Sequence, residues 1–540
     1  MRNPLFQPAP ADVVALSSTC KNARQALSAV VFRCVMLGGV IPQRKERLVW
    51  LREKGGKVLE HVRVVALLNL KPEAFEAAND CLKAMLHLEG MHHDAANPIA
   101  PLFVKTLKTL PHFHAFCSPD AGVEDLPHLL PLARQLDSLD IDTQISAPSF
   151  VDCWDLCPIT VAPARRNKLR RDLPNFASLL EQAHATVDGL ARLLFAARDN
   201  MKHVSVMAHD VYGAELPKGV QVPYGRDWLR HLFERLRQLN GGREYPVFPQ
   251  LEALRLSYSN IRGCQGFTHL LRTSTKLKEL EIAEHERTAM PVLDVAPKQL
   301  EWLYVFPADW TSVSGFIRQV ISKAPLRSLV VYGMKQHEVS EIFGRRLDNL
   351  RYLRICCFGT GAFHLSYLQL IAKQCPNLQH LDITGQRWLC EATDIFEAIR
   401  ALSHLRFFHH DHPHERPRAS PFPTPDGRTI RTNRNGDFRI ISVVPPARTI
   451  NEEMEKRIRE DVEAATPLYH KRFFKIAKAH PSLRTIEWCA TDELTWTWTF
   501  ERDGDLDEGK LKAMKHKPEI EIEAGDVEPD EPGIFFRGPL

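Results

Sequence analysis

The residue groupings that could do chemistry in this 540-residue chain are few, and spacing decides what each can do. DGDLDEGKLKAM, from Asp503, puts acids at the first, third and fifth places of a would-be calcium loop. Such a loop also needs Gly at its sixth place for the turn and a bidentate Glu at its twelfth, where Glu508 and Met514 stand. His409, His410, His412 and His414 gather imidazoles, but no second ligand group accompanies them and prolines crowd the stretch, as in an exposed loop. Cys153 and Cys157 form a pair without a partner pair, short of a zinc signature. GTGAF at Gly359 lacks the third glycine of a dinucleotide loop, and GxSxG, HExxH and Walker sequences do not occur. The expectation is a chain that is not an enzyme and carries no metal or cofactor.

Function then has to come from surfaces, and one short phrase returns through the second half to build them. It reads LEALRL at Leu251, LKELEI at Leu277, LEWLYV at Leu300, LRSLVV at Leu326, LRYLRI at Leu350 and LQHLDI at Leu378. Worn copies are LRFFHH at Leu405 and LRTIEW at Leu483, and fainter ones are LEHVRV at Leu59, LDSLDI at Leu136 and MKHVSV at Met201. The period of about 25 residues is that of leucine-rich repeats, with a strand and a returning helix per unit. Between the strands, Val313, Phe316, Ile317, Val320 and Ile321 keep helical spacing, as do Val339, Ile342, Phe343 and Leu347. No single strand and helix buries its apolar face alone; stacked copies share one core and pair their strands in parallel. The expected fold is therefore α/β, a leucine-rich-repeat-like solenoid over 41–410. The competing reading is a doubly wound sheet of unrelated αβ units. IAKQCPNLQHLDITG, from Ile371, resembles the cysteine-containing subclass of these repeats, whereas other copies lack that cysteine.

In LxxLxL the leucines face the core, so the residues between them line the concave face of the sheet. That face gathers Trp302, Tyr304 and Phe306 on one rung, with Tyr332, Tyr352 and Arg354 on the next two. Clustered aromatics beside Arg are the stuff of interface hot spots. These six residues are the expected contacts to a protein target, with Glu279 and Glu281 as an acidic flank. The alternative is that an inserted segment covers the patch as additional core.

Composition narrows the setting. A net charge of +4 spread over this length gives no concentrated basic face, so nucleic acid is not an expected partner. Arg165, Arg166, Lys168, Arg170 and Arg171 form a short basic run, read as a solvated loop or a nuclear-localisation signal. Cysteines such as Cys34, Cys356 and Cys375 sit in apolar segments, MRNPLFQPAP has no apolar core of a secretory signal, and no stretch reaches bilayer length. A cytoplasmic or nuclear protein without membrane contact is expected. The repeat spacing breaks between Leu405 and Leu483. There the Pro- and His-rich loop, an Asn435-Gly436 hairpin signal and a charged helix from Asn451 read as an insertion over 411–478. The last repeat is expected at 479–500, and the acidic tail over 501–540 is expected to be disordered.

The head of the chain, ADVVALSSTCKNARQALSAVVFRCVML, resembles the second half of an F-box. The family pattern DL..LS.TCK..R......LFR.V.L is met by Asp12, Leu16, Ser17, Thr19, Cys20, Lys21, Phe32, Arg33, Val35 and Leu37. F-box plus leucine-rich repeats is itself a family architecture. The resemblance implies the substrate receptor of an SCF-type ubiquitin ligase, with a helical partial F-box over 1–40 docked on a Skp-type adaptor, and through it on the cullin, while the repeats hold a protein target. By the family pattern, Val13, Leu16, Thr19, Cys20 and Phe32 would form the docking surface. Only MRNPLFQPAP precedes the match, where the family has a further helix, so the expected module is an N-terminally truncated F-box. The same residues also suit a helical cap over the first repeat.

Overall fold

The structure is a computed structural model and describes residues 32–38, 44–68, 70–93, 99–118, 125–144, 176–209, 228–257, 261, 264–283, 297–306, 313–332, 336–356, 364–384, 392–411, 471, 473–478, 480–491, 494–503 and 510–520. They fall into two compact units, one ending at Leu300 and the other starting at Glu301. The first unit holds β1 (Cys34–Gly38), β2 (Val64–Leu68), β3 (Gly90–His93), β4 (Ala115–Ser118), β5 (Ser138–Gln144), β6 (His203–His209), β7 (Ala253–Ser257) and β8 (Glu279–Ala283). Each pairs in parallel with the next. The second unit holds β9 (Trp302–Phe306), β10 (Ser328–Tyr332), β11 (Tyr352–Cys356), β12 (His380–Thr384), β13 (Phe407–Asp411) and β14 (Thr485–Thr491), again parallel and consecutive. β15 (Leu494–Asp503) and β16 (Lys510–Ile520) close it as antiparallel strands.

Strand order within each unit is the order of the sequence. A doubly wound sheet reverses direction at a switch point, whereas a right-handed crossover repeated in one direction keeps its helices on one side. The units are therefore solenoid-like α/β arrays. Leu254 and Leu280 are buried on the inner face of the first unit, and Leu303, Leu329, Leu353, Leu381 and Phe408 on that of the second. In the second unit Phe316, Ile317 and Val320 of the helix Val313–Lys323, and Val339, Ile342 and Phe343 in and just after the helix Gln336–Ile342, are buried as well. Cys375 is fully buried, and burial pushes its thiol up to about 12, so it serves as a small apolar core residue. At the N-terminus of the helix Gln265–Thr273, Gly266 lies against Phe233 so closely that any Cβ would collide with the Phe233 side chain.

One backbone device recurs at the start of the strands. The carbonyl just before one strand accepts two successive N–H groups from the next repeat: Arg327 O takes Arg351 and Tyr352, Arg351 O takes Gln379 and His380, and Gln379 O takes Arg406 and Phe407. In the first unit the side chains of this row alternate in sign. Asp137–Lys202 is 2.9 Å and Glu252–Lys278 is 3.0 Å, an arrangement that adds cross-strand attraction to the ladder.

Three expectations change. First, Cys34–Gly38 is a strand of the array and not part of a helical F-box. Register pairs Val35 with Val65 and Leu37 with Leu67, so Phe32, Val35 and Leu37 occupy the three apolar places of LxxLxL. The continuous apolar run CVML suits a strand of a parallel sheet once β2 offers its edge. Second, the faint phrase at Leu59 is three residues out of step, because Val65 and Leu67 are the residues in register with Met91 and His93. Third, the tail expected from Glu501 to be unpacked contributes the end of β15 and all of β16. Trp498 and Phe500 are buried and anchor that hairpin. The remaining head and tail residues, and most of the insertion expected over 411–478, lie outside the described residues. β13 nonetheless pairs directly with β14 across that interval. Among the described residues no helix is long and apolar enough to cross a membrane.

Candidate functional site

The residues between the inner leucines fall into register rows on the open face of the second unit. One row runs Trp302, Ser328, Tyr352, His380, Phe407 and a neighbouring row runs Tyr304, Val330, Arg354, Asp382, His409. Parallel pairing without a bulge holds each row straight, so rings at equivalent places meet face to face. Tyr352 stacks on His380 at 4.2 Å between centroids, and His380 on Phe407 at 4.1 Å. Ser328 is too small to join them. Trp302 and Tyr352 lean across it and stack at 6.1 Å with planes 22° apart. Tyr304 packs on Tyr332 at 5.4 Å, and the Arg354 guanidinium lies 5.4 Å over the Tyr332 ring.

The second row is charged. Arg354 Nε is 3.0 Å from Asp382 and His409 Nε2 is 3.9 Å from the other carboxylate oxygen. Asp382 is buried beneath them. Burial between two rings pushes the His380 imidazole down to about 4, with the nearby His409 and Arg354 adding repulsion. Burial also pushes the Tyr352 phenol up, with Asp382 contributing. Both rings are therefore uncharged at neutral pH, which lets them stack without a cation inside the ladder.

The His380 shift makes acid stability measurable. The unfolded chain has an imidazole near 6.5 and the folded one near 4, so as pH falls between them only the unfolded chain takes up the proton. The stabilisation is fully present above 6.5 and is lost as pH drops towards 4. We expect the second unit to lose roughly 2 kcal/mol from this group between about pH 7 and pH 4, allowing for its half-exposed edge. Urea unfolding of the wild type and of His380→Gln at both pH values reads this loss, which is absent from the variant.

Of the expected target contacts, Trp302, Tyr304, Tyr332, Tyr352 and Arg354 come together here, all half-buried. Phe306 ends β9, and its side chain lies outside the described residues. Glu279 and Glu281 belong to the first unit, where Arg255 engages both, at 3.9 and 3.5 Å. The one guanidinium offsets one of the two carboxylate charges, so the pair keeps a net negative charge on the first unit. Of the expected adaptor contacts, Phe32 is half-buried in the turn before β1, while Val13, Leu16, Thr19 and Cys20 lie outside the described residues. His380 and Phe407, which complete the ladder, were marked in the sequence only by their place in the phrase. His409 and His410 belong to β13, and among the described residues no three metal-ligating side chains converge.

No protein-family model and no curated protein matches the chain. Among solved structures, it is similar to a chain of the crystal structure of the Rad7 and Elc1 complex in yeast, at 12% identity. The match covers 70% of this chain and 94% of that one, with a TM-score of 0.29. A likeness of that size decides neither fold nor role.

Proposed function

We propose that this chain is a non-catalytic receptor that holds a protein target on the open face of β9–β13 and brings it to an SCF-type ubiquitin ligase. The observation that supports target binding is the half-exposed ladder of Trp302, Tyr352, His380 and Phe407, flanked by Tyr304, Tyr332 and Arg354. Aromatic and Arg side chains already ordered against one another lose little entropy on binding. The ligase half rests on the resemblance of Asp12 to Lys21 to an F-box, in which Val13, Leu16, Thr19 and Cys20 would meet a Skp-type adaptor.

A second reading has its own support. Phe32, Val35 and Leu37 are accounted for by the repeat, which removes part of the F-box match and favours a repeat scaffold without a ligase role. Co-purification separates the two. The receptor reading expects a Skp-type adaptor to accompany the full chain and to be lost from Leu16→Asp, while Tyr352→Ala keeps the adaptor and loses the target. Target capture with no adaptor, by the chain and by an N-terminally extended version, leaves the scaffold reading.

A further inference from the structure

We propose that Trp302, Ser328 and Tyr352 form a closed slot that opens to take the guanidinium of an arginine side chain from a partner protein. The inference deepens the receptor reading and rests on it only for the owner of that arginine. Trp302 and Tyr352 stand on strands separated by β10, about 9.6 Å apart at two strand spacings. A flat group between two rings needs about 7 Å, two contact distances of about 3.5 Å. Upright rings would frame that gap, and in the structure they instead lean together to 6.1 Å. Opening thus needs side-chain rotation and no movement of backbone.

The floor of the slot points to a ligand. Ser328 is in register with both rings and therefore faces between them. It is 2% exposed, and its Oγ has no hydrogen-bond partner among the described residues. A buried hydroxyl left unpaired is costly, so the closed state holds a polar group in reserve. An incoming N–H would satisfy it.

The walls choose the ligand. Both ring faces carry negative quadrupole, which attracts a cation, and the buried Ser328 hydroxyl at the floor favours a flat group that brings an N–H donor over an aromatic ring that brings none. A guanidinium is flat, weakly hydrated and rich in N–H donors, whereas a lysine ammonium is compact and strongly hydrated. The far face of Tyr352 is covered by His380, which is neutral at physiological pH. The nearby cations are already matched, Arg327 by Glu301 at 3.5 Å and Arg354 by Asp382 at 3.0 Å. The same face already sets one guanidinium on a ring, Arg354 on Tyr332.

The test uses the full chain labelled with 5-fluorotryptophan, with the Trp302 resonance assigned through Trp302→Phe, and arginine amide as the probe. We expect a saturable shift of that resonance, with lysine amide binding about fivefold more weakly and phenylalanine amide giving no saturable shift. Ser328→Ala should weaken the arginine response about threefold or more while raising the melting temperature, because it removes the unpaired hydroxyl. Ser328→Leu, filling the slot, should abolish the response while the chain stays folded by circular dichroism. Absence of a saturable shift, equal responses to arginine and phenylalanine amides, or a Ser328→Ala variant that is less stable and binds unchanged would each overturn the slot. Co-purification of adaptor and target is read separately, so loss of the receptor reading and loss of the slot are distinguishable.

Discussion

Phe408→Ala is expected to cost the second unit about 4 kcal/mol, the largest effect of any single substitution considered. Phe408 is fully buried and in register between Leu381 of β12 and Ile486 of β14. Among the described residues it is the buried side chain of β13, the strand that pairs with β12 before the long interval and with β14 after it. In a one-dimensional array each repeat is held by its neighbours, so a cavity at a junction uncouples what lies beyond it. Amide hydrogen exchange should show β14–β16 losing protection first while β9–β11 retain theirs. Uniform loss of protection across the unit would mean that β13 is not such a junction. The chain returns from the interval through His480 Nε2, which donates to Ile399 O at 3.0 Å, and Ser482 Oγ, which donates to Leu405 O at 2.9 Å. These bonds keep the chain tethered in Phe408→Ala, so the variant should remain expressible.

Asp382→Ala is expected to cost about 3 kcal/mol, the low end for breaking a buried pair, because Arg354 is partly solvated. Asp382 is 7% exposed and faces both Arg354 and His409. Without its carboxylate, two cationic or potentially cationic groups are left facing each other in a confined space. Arg354→Leu with Asp382→Leu should recover most of the loss, since removing both charges also removes their desolvation cost. Chemical denaturation of the two single variants and the double variant gives the coupling energy. A double variant no better than Asp382→Ala would show that the ion pair is not what the carboxylate supplies. The pair also positions the Arg354 guanidinium over Tyr332, so Asp382→Ala should weaken target capture beyond its effect on stability.

Much of the architecture was legible because LxxLxL encodes burial directly. In the six clear copies, as at Leu254 and Leu256 or Leu381 and Ile383, the strand stands where the phrase put it. The phrase faded where its third place is polar. β3 and β4 carry His93 and Ser118 there, buried inside the array, and a single sequence gives no reason to count a His or a Ser as core. It misled at the head of the chain, where Phe32, Val35 and Leu37 satisfy both a repeat strand and a family pattern. Pairing with β2 decides between them, and that pairing is a tertiary contact.

The sequence by itself determined that this chain repeats a strand and a helix, and it put Trp302, Tyr304, Tyr332, Tyr352 and Arg354 on one face, because side-chain alternation is a local property of strands. What only the tertiary structure decided is which neighbours those side chains have. Register across strands brought His380 and Phe407 into the ladder, buried Asp382 under Arg354, tied Glu279 and Glu281 to Arg255, and closed Trp302 and Tyr352 over Ser328. Those partners lie tens of residues apart in the chain, and only parallel pairing sets the spacing of about 4.8 Å at which their rings and charges meet.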